Sequence, residues 1–211
     1  TDPRKKYFDK RGPILVKNLE SRHFEAYYCE TKEKALEKAL ELIPKGATVG
    51  WGGAMSAQQI GLMDALNAGD YRAIDRDKCP TQEEKLQAAK DSLFADVFLT
   101  GANALSLDGQ MVNIDGNGNR VGMIVYGPKN IIVVAGMNKV CQSVEDAVRR
   151  ARTVAAPMNQ QRFGLPNPCT CTGVCADCHS ESSICNQILI TRNSKPAGRI
   201  KFVLVGEELG F

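Results

Sequence analysis

Five of the eight cysteines in this 211-residue chain lie close together near its carboxyl end. Cys175 and Cys178 form a Cys-x-x-Cys pair, and Cys169 and Cys185 flank that pair. Four converging thiolates can close a tetrahedral zinc site or hold a [4Fe–4S] cluster. The sequence therefore predicts a metal site at these four residues.

Two nearby side chains are substitute ligands for that site, and one alternative competes with it. Cys171 can replace one of the four cysteines, and His179 is a weaker substitute. Disulfides or free thiols are the alternative reading of the cysteines. A cysteine cluster in a chain without a secretory signal favours a metal over a disulfide framework.

A glycine-rich stretch, Val49–Ser56, follows a short apolar run. It predicts a buried strand, a tight turn and a helix, with Ser56 as the N-cap and Gln59 as its capping-box partner. Glycines let backbone N–H groups approach an anion, and the positive end of a helix dipole favours negative charge. Gly52, Gly53 and Ser56 are therefore candidate anion-binding residues, although the same glycines also suit a plain connecting turn.

Two further predicted strands end in small polar residues. Thr100–Asn103 ends one strand, and Gly136–Lys139 follows another at Asn130–Ala135. Ligands bind outside the carboxyl ends of parallel strands, so we expect these segments and the glycine turn to line one small-molecule crevice. Lys139 is a candidate anion contact, the alternative being a solvated lysine in a loop. The candidate ligand-binding residues here are Thr100, Gly101, Asn103, Gly136, Asn138 and Lys139.

The segment from Asn113 to Arg120 combines turn residues with one arginine. A hairpin turn accounts for Asn117 and Gly118, but it does not require an arginine after it. The planar guanidinium of Arg120 suits a carboxylate or a phosphate, so this residue is a candidate clamp for a small anionic metabolite. A structural salt bridge is the alternative. The candidate ligand-binding residues in this segment are Asn113, Asp115, Asn119 and Arg120.

The sequence contains no recognisable set of catalytic residues. His23 and His179 lie in unrelated settings, and no Ser, His and Asp follow the order of a hydrolase triad. Asp108, Glu207 and Glu208 are carboxylates close to the segments above, and each also suits a structural role. No general acid or base is therefore assigned.

Alternating predicted strands and helices place these residues on an α/β fold. We expect a mostly parallel central sheet flanked by helices, in a single domain over residues 1–211, with an N-terminal helical arm (1–22) and a cysteine-rich metal-binding segment (165–186). In the arm, Ile14, Leu15 and Leu19 are expected on one face. Three closely spaced β runs, the middle one at Val121–Tyr126, predict a hairpin-like part with antiparallel pairing. The other predicted elements are helices beginning at Thr31, Thr81 and Ser143, and strands at His23–Cys29, Tyr71–Asp75, Gln110–Asp115, Asn130–Ala135, Gln187–Thr191 and Ile200–Val205.

Composition limits the function classes. The hydrophobic fraction of 43% and the charged fraction of 24% are ordinary for a globular protein. A net charge of +3, spread along the chain, does not indicate nucleic-acid binding. No apolar run reaches the length of a membrane span, and the basic stretch Arg4–Lys6 lacks the apolar core of a signal peptide. We therefore expect a cytoplasmic protein with no membrane span and no nucleic-acid partner.

Several of these segments resemble the lactate-utilisation (LUD) domain family. The matching segments run in order over most of the chain: Val49–Ser56, Leu99–Ala104, Val112–Val121, Gly127–Pro128, Ala135–Lys139 and Val205–Phe211. The Gly-Asn-Arg-Val block at Gly118–Val121 is fairly specific. The resemblance implies a sheet fold similar to that of ribose-5-phosphate isomerase and the CoA transferases. It also implies a role in bacterial oxidation of lactate to pyruvate, alongside an iron–sulfur electron-transfer protein as partner.

The chain looks like the short form of this family, which carries a cysteine-rich C-terminal segment. A zinc ribbon usually has two Cys-x-x-Cys pairs and this chain has one. Since the family also points to redox metabolism, the expected cofactor is an iron–sulfur cluster of the [4Fe–4S] type, with zinc as the alternative.

The expected function is that of a redox accessory or oxidoreductase component that binds a small anionic metabolite. One alternative is an isomerase or a CoA- or acyl-transferase-like enzyme with structural zinc. Another is a non-catalytic binding protein. A homo-oligomer is among the expected assemblies.

Overall fold

The structure is a computed structural model that describes residues 2–211, and over these residues it contains two β-sheets with helices packed around them. The helices are α1 (Pro3–Glu20), α2 (Lys32–Glu41), α3 (Met55–Gln59), α4 (Leu62–Ala68), α5 (Gln82–Asp91), α6 (Asn119–Tyr126), α7 (Val144–Arg150), α8 (Ala156–Gln161) and α9 (Pro168–Thr172). The strands are β1 (Glu25–Cys29), β2 (Thr48–Gly52), β3 (Arg72–Ile74), β4 (Val97–Thr100), β5 (Ala104–Ser106), β6 (Met111–Asp115), β7 (Asn130–Gly136), β8 (Val140–Cys141), β9 (Gln187–Thr191) and β10 (Ile200–Val205). A π-helical turn, Ala151–Ala155, joins α7 to α8, and Met137–Lys139 is a short 3-10 turn.

The larger sheet has the strand order β1-β10-β7-β4-β2-β3, and each neighbouring pair in it is parallel. This confirms the predicted α/β fold with a mostly parallel central sheet. The register aligns Thr100 with Gly52 on one side and with Val133 on the other. The carboxyl ends of β2, β4 and β7 therefore lie side by side at one edge of the sheet, where polar residues of the loops can meet.

The central strands are buried on both faces, which explains their nearly continuous apolar sequences. In β10, Phe202 and Leu204 pack into one core cluster, and Val203 and Val205 pack into a second. This alternation follows from the two-residue period of a strand. Helices α1 and α6 contribute to the first cluster, and α2, α3 and α4 contribute to the second. The sheet is thus flanked by helices, as predicted.

The smaller sheet has the order β8-β5-β6-β9 and is mixed. Strand β6 is antiparallel to both β5 and β9, whereas β5 and β8 are parallel. Helix α7 and the π-helical turn cover it through a third core cluster that includes Ala147 and Ala151 packed against Val112 and Ile114. The sequence predicts antiparallel pairing among the runs at Gln110–Asp115, Val121–Tyr126 and Asn130–Ala135, and this pairing is wrong: β6 pairs with β5 and β9, whereas β7 lies in the parallel sheet. The smaller sheet positions Asn113, which lies on β6.

The prediction of a strand at Val121–Tyr126 is wrong, because these residues form α6. The side chain of Asp115 accepts hydrogen bonds from the backbone N–H groups of Asn117, Gly118 and Val121, so it caps the incoming helix. Gly118 has a positive φ of 77°. The β-branched residues suggested a strand, but the capping aspartate and the left-handed glycine start a helix instead.

Ser56 is not an N-cap, which corrects a second prediction. Strand β2 continues through Gly52, Ala54 precedes α3 without a side-chain cap, and Ser56 lies inside α3 with no exposed surface. Gln59, its predicted capping-box partner, instead accepts a hydrogen bond from Gly210 N at 2.6 Å. The helices predicted to begin at Thr31, Thr81 and Ser143 are confirmed, and each of these side chains caps its helix by accepting a hydrogen bond from the backbone N–H three residues on.

The predicted arm is a single helix packed against β1. Leu15 and Leu19 are fully buried, but Ile14 is 50% exposed, so the prediction that it shares their face is wrong. Gly12 provides the contact with β1, because a Cβ atom there would overlap the ring of Tyr28. Within residues 2–211, no helix combines the length and the apolar character needed to cross a membrane.

Candidate functional site

Three cationic side chains meet at the loop that follows β4. Lys139 Nζ donates a hydrogen bond to the carbonyl oxygen of Ala102 at 3.0 Å. The next carbonyl, that of Asn103, accepts from Arg150 Nη1 at 2.6 Å. Asn103 Oδ1 accepts from Arg120 Nη2 at 2.8 Å. Arg120, Lys139 and Arg150 are therefore called the cation cluster.

The loop is fixed by its contacts with the glycine turn after β2. Thr100 Oγ1 donates to the carbonyl of Gly52 at 3.0 Å, and Gly101 N donates to the carbonyl of Gly53 at 3.2 Å. A Cβ atom on Gly101 would lie only 3.0 Å from that Gly53 oxygen, so the two loops approach as closely as glycine allows. Two of the strand ends predicted to share a crevice are thus in direct contact.

Arg120 is a largely enclosed member of the cluster. Its side chain is 13% exposed, and besides Asn103 it donates to the carbonyl of Ile114. The guanidinium packs on the glycine turn, since a Cβ atom on Gly53 would lie 2.6 Å from Nη1. Burial lowers the pKa of Arg120, whereas the nearby Asp115 carboxylate, 4.0 Å from Nε, raises it. The guanidinium stays protonated all the same, as arginine does in proteins.

Lys139 is 4% exposed and donates to two uncharged oxygens, Ser56 Oγ at 3.2 Å and the Ala102 carbonyl. Burial lowers its pKa to about 7, and the charges of Arg150 and Arg120 add to that effect. Within residues 2–211, no carboxylate lies within 4 Å of its ammonium group. The positive charge of protonated Lys139 therefore has no nearby negative charge to balance it.

The charge of the cluster is unbalanced. Asp115 is the one side-chain carboxylate of the described chain that contacts a member of it, and its oxygens are largely engaged in capping α6. Burial also lowers the pKa of Arg150. Buried charges are normally paired, so this arrangement favours a bound anion. Guanidinium groups match the geometry of carboxylates and phosphates in particular.

Asn113, a predicted ligand residue on β6, lies next to the cluster. It has no exposed surface, and its Nδ2 donates to the carbonyl of Gly101 at 2.9 Å. Its Oδ1 has no hydrogen-bond partner among the described residues. An unpaired buried acceptor is costly, and a hydroxyl group of a ligand or a water molecule would satisfy it.

Other predicted residues have a positioning role or lie outside the cluster. Asn138 Oδ1 accepts from Leu209 N at 3.0 Å, and Gly136 makes room for the same tail, because a Cβ atom there would lie 2.6 Å from the Glu207 carbonyl. Asn119 begins α6 and is half-buried, and its side chain makes no hydrogen bond to the described chain. The structure thus brings together the predicted residues Gly52, Gly53, Ser56, Thr100, Gly101, Asn103, Asn113, Asp115, Arg120 and Lys139.

Sequence reasoning missed Arg150 and the tail at Gly210. Arg150 lies three residues after buried Ala147, so a charged residue on the apolar face of α7 was the available signal. Gly210 has a φ of 60°, and a Cβ atom there would lie 2.9 Å from Lys139 Nζ and 3.0 Å from Ser56 Oγ. Arg150 Nη1 also donates to the main-chain oxygen of Phe211 at 3.3 Å. The tail therefore covers one side of the cluster.

The four predicted cysteine ligands lie near one another. Burial, followed by the charges of Cys175, Cys169 and Cys178, raises the pKa of Cys185 to about 11. The pKa of Cys169 is raised too, mainly by burial and in part by the charges of Cys178 and Cys175. Cys171 and His179 have no part in these interactions. All eight cysteines are free thiols.

The donor set fits a thiolate-bound group, but the sulfurs do not converge. Within residues 2–211, no three Cys, His, Asp or Glu side chains are placed so that they could hold one metal ion. The segment is held mainly by polar contacts, such as Asn167 with Ser182 and Asn186 with the Gly116 carbonyl. Binding of a metal would therefore require the four sulfurs to move closer together.

Comparisons with known proteins extend these observations. Residues 13–205 match a family described as the LUD domain. No curated protein matches the chain. A DUF162 family protein from Deinococcus radiodurans has a similar crystal structure, with a TM-score of 0.50 and 12% identity over 95% of this chain and 97% of that one. At this identity the similarity shows a shared fold.

Proposed function

This chain belongs to the LUD domain family, which is linked to lactate utilisation, and from this premise we propose that it binds a small organic anion at the cation cluster. Its proposed role is that of a redox accessory or oxidoreductase component in bacterial oxidation of lactate to pyruvate. One observation supports the anion site most: a buried lysine and two partly buried arginines share a single contacting side-chain carboxylate, that of Asp115.

The proposed site would work by binding and orientation. Arg120 and Arg150 would hold the carboxylate of the metabolite, because their forked donors match its two oxygens. The unpaired Oδ1 of Asn113 would accept a hydrogen bond from a hydroxyl group next to that carboxylate. The fully buried Ser56 and the tail at Gly210 would limit access of water to Lys139.

We further propose that Cys169, Cys175, Cys178 and Cys185 hold an iron–sulfur cluster, with zinc as the alternative. Two features support this proposal: the donors are thiols, and four of them lie within range of one another's charge. A cluster of this kind supplies one-electron transfer. An iron–sulfur electron-transfer protein is the corresponding proposed partner.

Isothermal titration of L-lactate and pyruvate tests the anion site. Arg150→Met should weaken binding at least about tenfold, since loss of a buried charge contact costs on the order of 2 kcal/mol or more. Arg149→Met is the matched control, because Arg149 is the preceding residue of the same helix and its side chain is 73% exposed. Equal affinities of the two variants, or no binding by the unaltered protein, would contradict the proposal.

Metal analysis and a visible spectrum of anaerobically purified protein test the cysteine site. Iron with inorganic sulfide and a broad absorption in the visible range are expected, and both should be lost in Cys178→Ser but kept in Cys171→Ser. Zinc in a colourless protein would favour a structural zinc site and an isomerase- or transferase-like function. Neither metal in the unaltered protein would overturn the metal site.

A further inference from the structure

Lys139 has the features of a nucleophilic amine, which binding of an anion does not require. Its Nζ is buried at the end of the 3-10 turn after β7. Both of its hydrogen bonds go to neutral oxygens, those of Ser56 and Ala102. Lysine becomes a nucleophile when it is desolvated or placed beside other cations, and here both conditions hold.

The groups around Lys139 keep its amine available. Arg120 approaches from the start of α6 and Arg150 from the end of α7, and burial together with these two charges favours the neutral amine. The tail that packs on this side carries two acids, and both have partners elsewhere: Glu207 accepts from the backbone N–H of Lys32 and pairs with its ammonium, and Glu208 pairs with Arg4. Neither α3 nor the 3-10 turn contributes a carboxylate.

We propose that Lys139 captures a 2-oxo acid as an imine while Arg120 and Arg150 hold the carboxylate of that acid. The inference rests on the proposed anion site and names its substrate class. The same loop after β4 binds all three side chains, so a carboxylate and an adjacent carbonyl carbon can be presented to them together.

The chemistry requires no oxidant, reductant or further co-reactant. The lone pair of Lys139 Nζ attacks the ketone carbon, and the carbonyl π electrons move to oxygen, which takes up a proton. The attacking nitrogen gives up its two protons, and both leave with that oxygen as water when the C–O bond of the carbinolamine breaks. The lone pair of the nitrogen then forms the second bond of the C=N group. A 2-hydroxy acid has no electrophilic carbon, so it binds at the same residues without forming this bond.

The tail must move for the ketone to reach the amine. Gly210 lies against Lys139 Nζ, and the two residues that follow the buried Leu209 are held there by hydrogen bonds from Gly210 N to Gln59 and from Arg150 Nη1 to Phe211. These are single hydrogen bonds, each with a modest net contribution to stability. Capture is therefore expected to be slow compared with simple anion binding to an open site.

Reductive trapping tests the proposal directly. Full-length protein is incubated with pyruvate and sodium cyanoborohydride and then digested and analysed by mass spectrometry. Lys139 should be labelled at least about tenfold more than any exposed lysine, because an ordinary lysine is almost fully protonated near neutral pH. L-Lactate with the same reductant should add nothing, and excess lactate should protect Lys139 from pyruvate.

Two controls separate this inference from the anion site itself. Lys139→Arg cannot form the imine, so reductive trapping with pyruvate should no longer add the mass of one adduct to the intact protein. Lactate and pyruvate binding to the unaltered protein with no labelling of Lys139 would overturn the imine and leave the anion site standing. Failure of both ligands to bind in calorimetry would instead overturn the proposed function. The protection experiment needs only the unaltered protein, so the test does not depend on folding of the variant.

Discussion

The cation cluster and the cysteine segment each gather residues of one chemical kind, but the fold holds them in different ways. The cluster lies where β2, β4 and β7 end, and Lys139 and the Arg120 side chain are 4% and 13% exposed. The cysteine segment, by contrast, adds no residue to the three core clusters. The first site is built by the sheet before any ligand binds, whereas the second depends on its own ligand to become compact.

This difference follows from what stabilises each site: the apolar core in one case and a bound metal in the other. The anion site uses backbone and side chains that the apolar core already fixes, so it can hold uncompensated charge. A small segment without apolar burial must gain order from a metal or another cross-link. The two regions should therefore respond in opposite ways to mutation and to ligand removal.

The largest contrast is expected in the free energy of unfolding when one apolar side chain is truncated in each region. Phe98 lies on β4, is 2% exposed, and packs beneath Gly52, so Phe98→Ala should lower the free energy of unfolding by about 3–5 kcal/mol. The control is Val174, which lies between Cys171 and Cys175 and is 66% exposed. Val174→Ala should change the free energy of unfolding by less than about 0.5 kcal/mol. Urea denaturation measures both values, and similar losses would remove the distinction between the regions.

A second contrast uses two glycines with similar backbone angles. Gly53 and Gly164 have φ values of 58° and 61°, but only Gly53 is crowded, by the guanidinium of Arg120. Gly164→Ala should cost about 1–2 kcal/mol for left-handed strain alone. Gly53→Ala should cost about 1–3 kcal/mol more from overpacking, and it should also weaken lactate binding. Equal stability of the two variants in urea denaturation would show that Arg120 is not packed against the turn.

A third prediction concerns pH and separates the buried lysine from the exposed segment. The pKa of Lys139 is lowered to about 7, so between that pH and about 10 the unfolded chain binds more protons than the folded one. Stability relative to Lys139→Met should therefore rise with pH, by about 1 kcal/mol from pH 7 to pH 8, and become constant below pH 6. Parallel stability curves for the two proteins would show that Lys139 titrates normally.

The smallest effect is expected for a cysteine variant without metal. Because the sulfurs do not converge in the structure, Cys178→Ser should change the stability of metal-free protein by less than about 0.5 kcal/mol. Metal loading should stabilise the unaltered protein but not this variant, since a ligand that binds only the folded state raises its stability. Thermal unfolding before and after metal loading measures both effects. A large loss in the metal-free variant would mean that the thiols already support the fold.

Much of the anion site was predictable because parallel strands impose a rule. The segments Gly52–Gly53, Thr100–Asn103 and Gly136–Lys139 each follow an apolar strand, and strand ends of a parallel sheet share one edge. The strands Gln187–Thr191 and Ile200–Val205 were predicted with the bounds that the structure has. For these residues, the positions of the apolar strands along the sequence were enough to predict that they meet at one edge of the sheet.

The remaining residues depend on tertiary packing that no local pattern encodes. Arg150 enters the site from a helix on the smaller sheet, and Gly210 reaches it through a tail that crosses the sheet edge. The helix at Asn119–Tyr126 was missed because its apolar residues also suit a strand, and the side chain of Asp115 decides the outcome. In each case a contact between distant segments overrides the local preference.

The central claim is that Lys139 is a buried amine whose protonated form has no carboxylate partner until an anion binds. The ¹³Cε resonance of Lys139, assigned by its loss in Lys139→Arg, can be titrated by NMR with and without lactate. We predict a pKa near 7 in the free protein and a clear increase with lactate, because a bound carboxylate favours the charged amine. A pKa close to that of ordinary lysine, unchanged by lactate, would contradict the account.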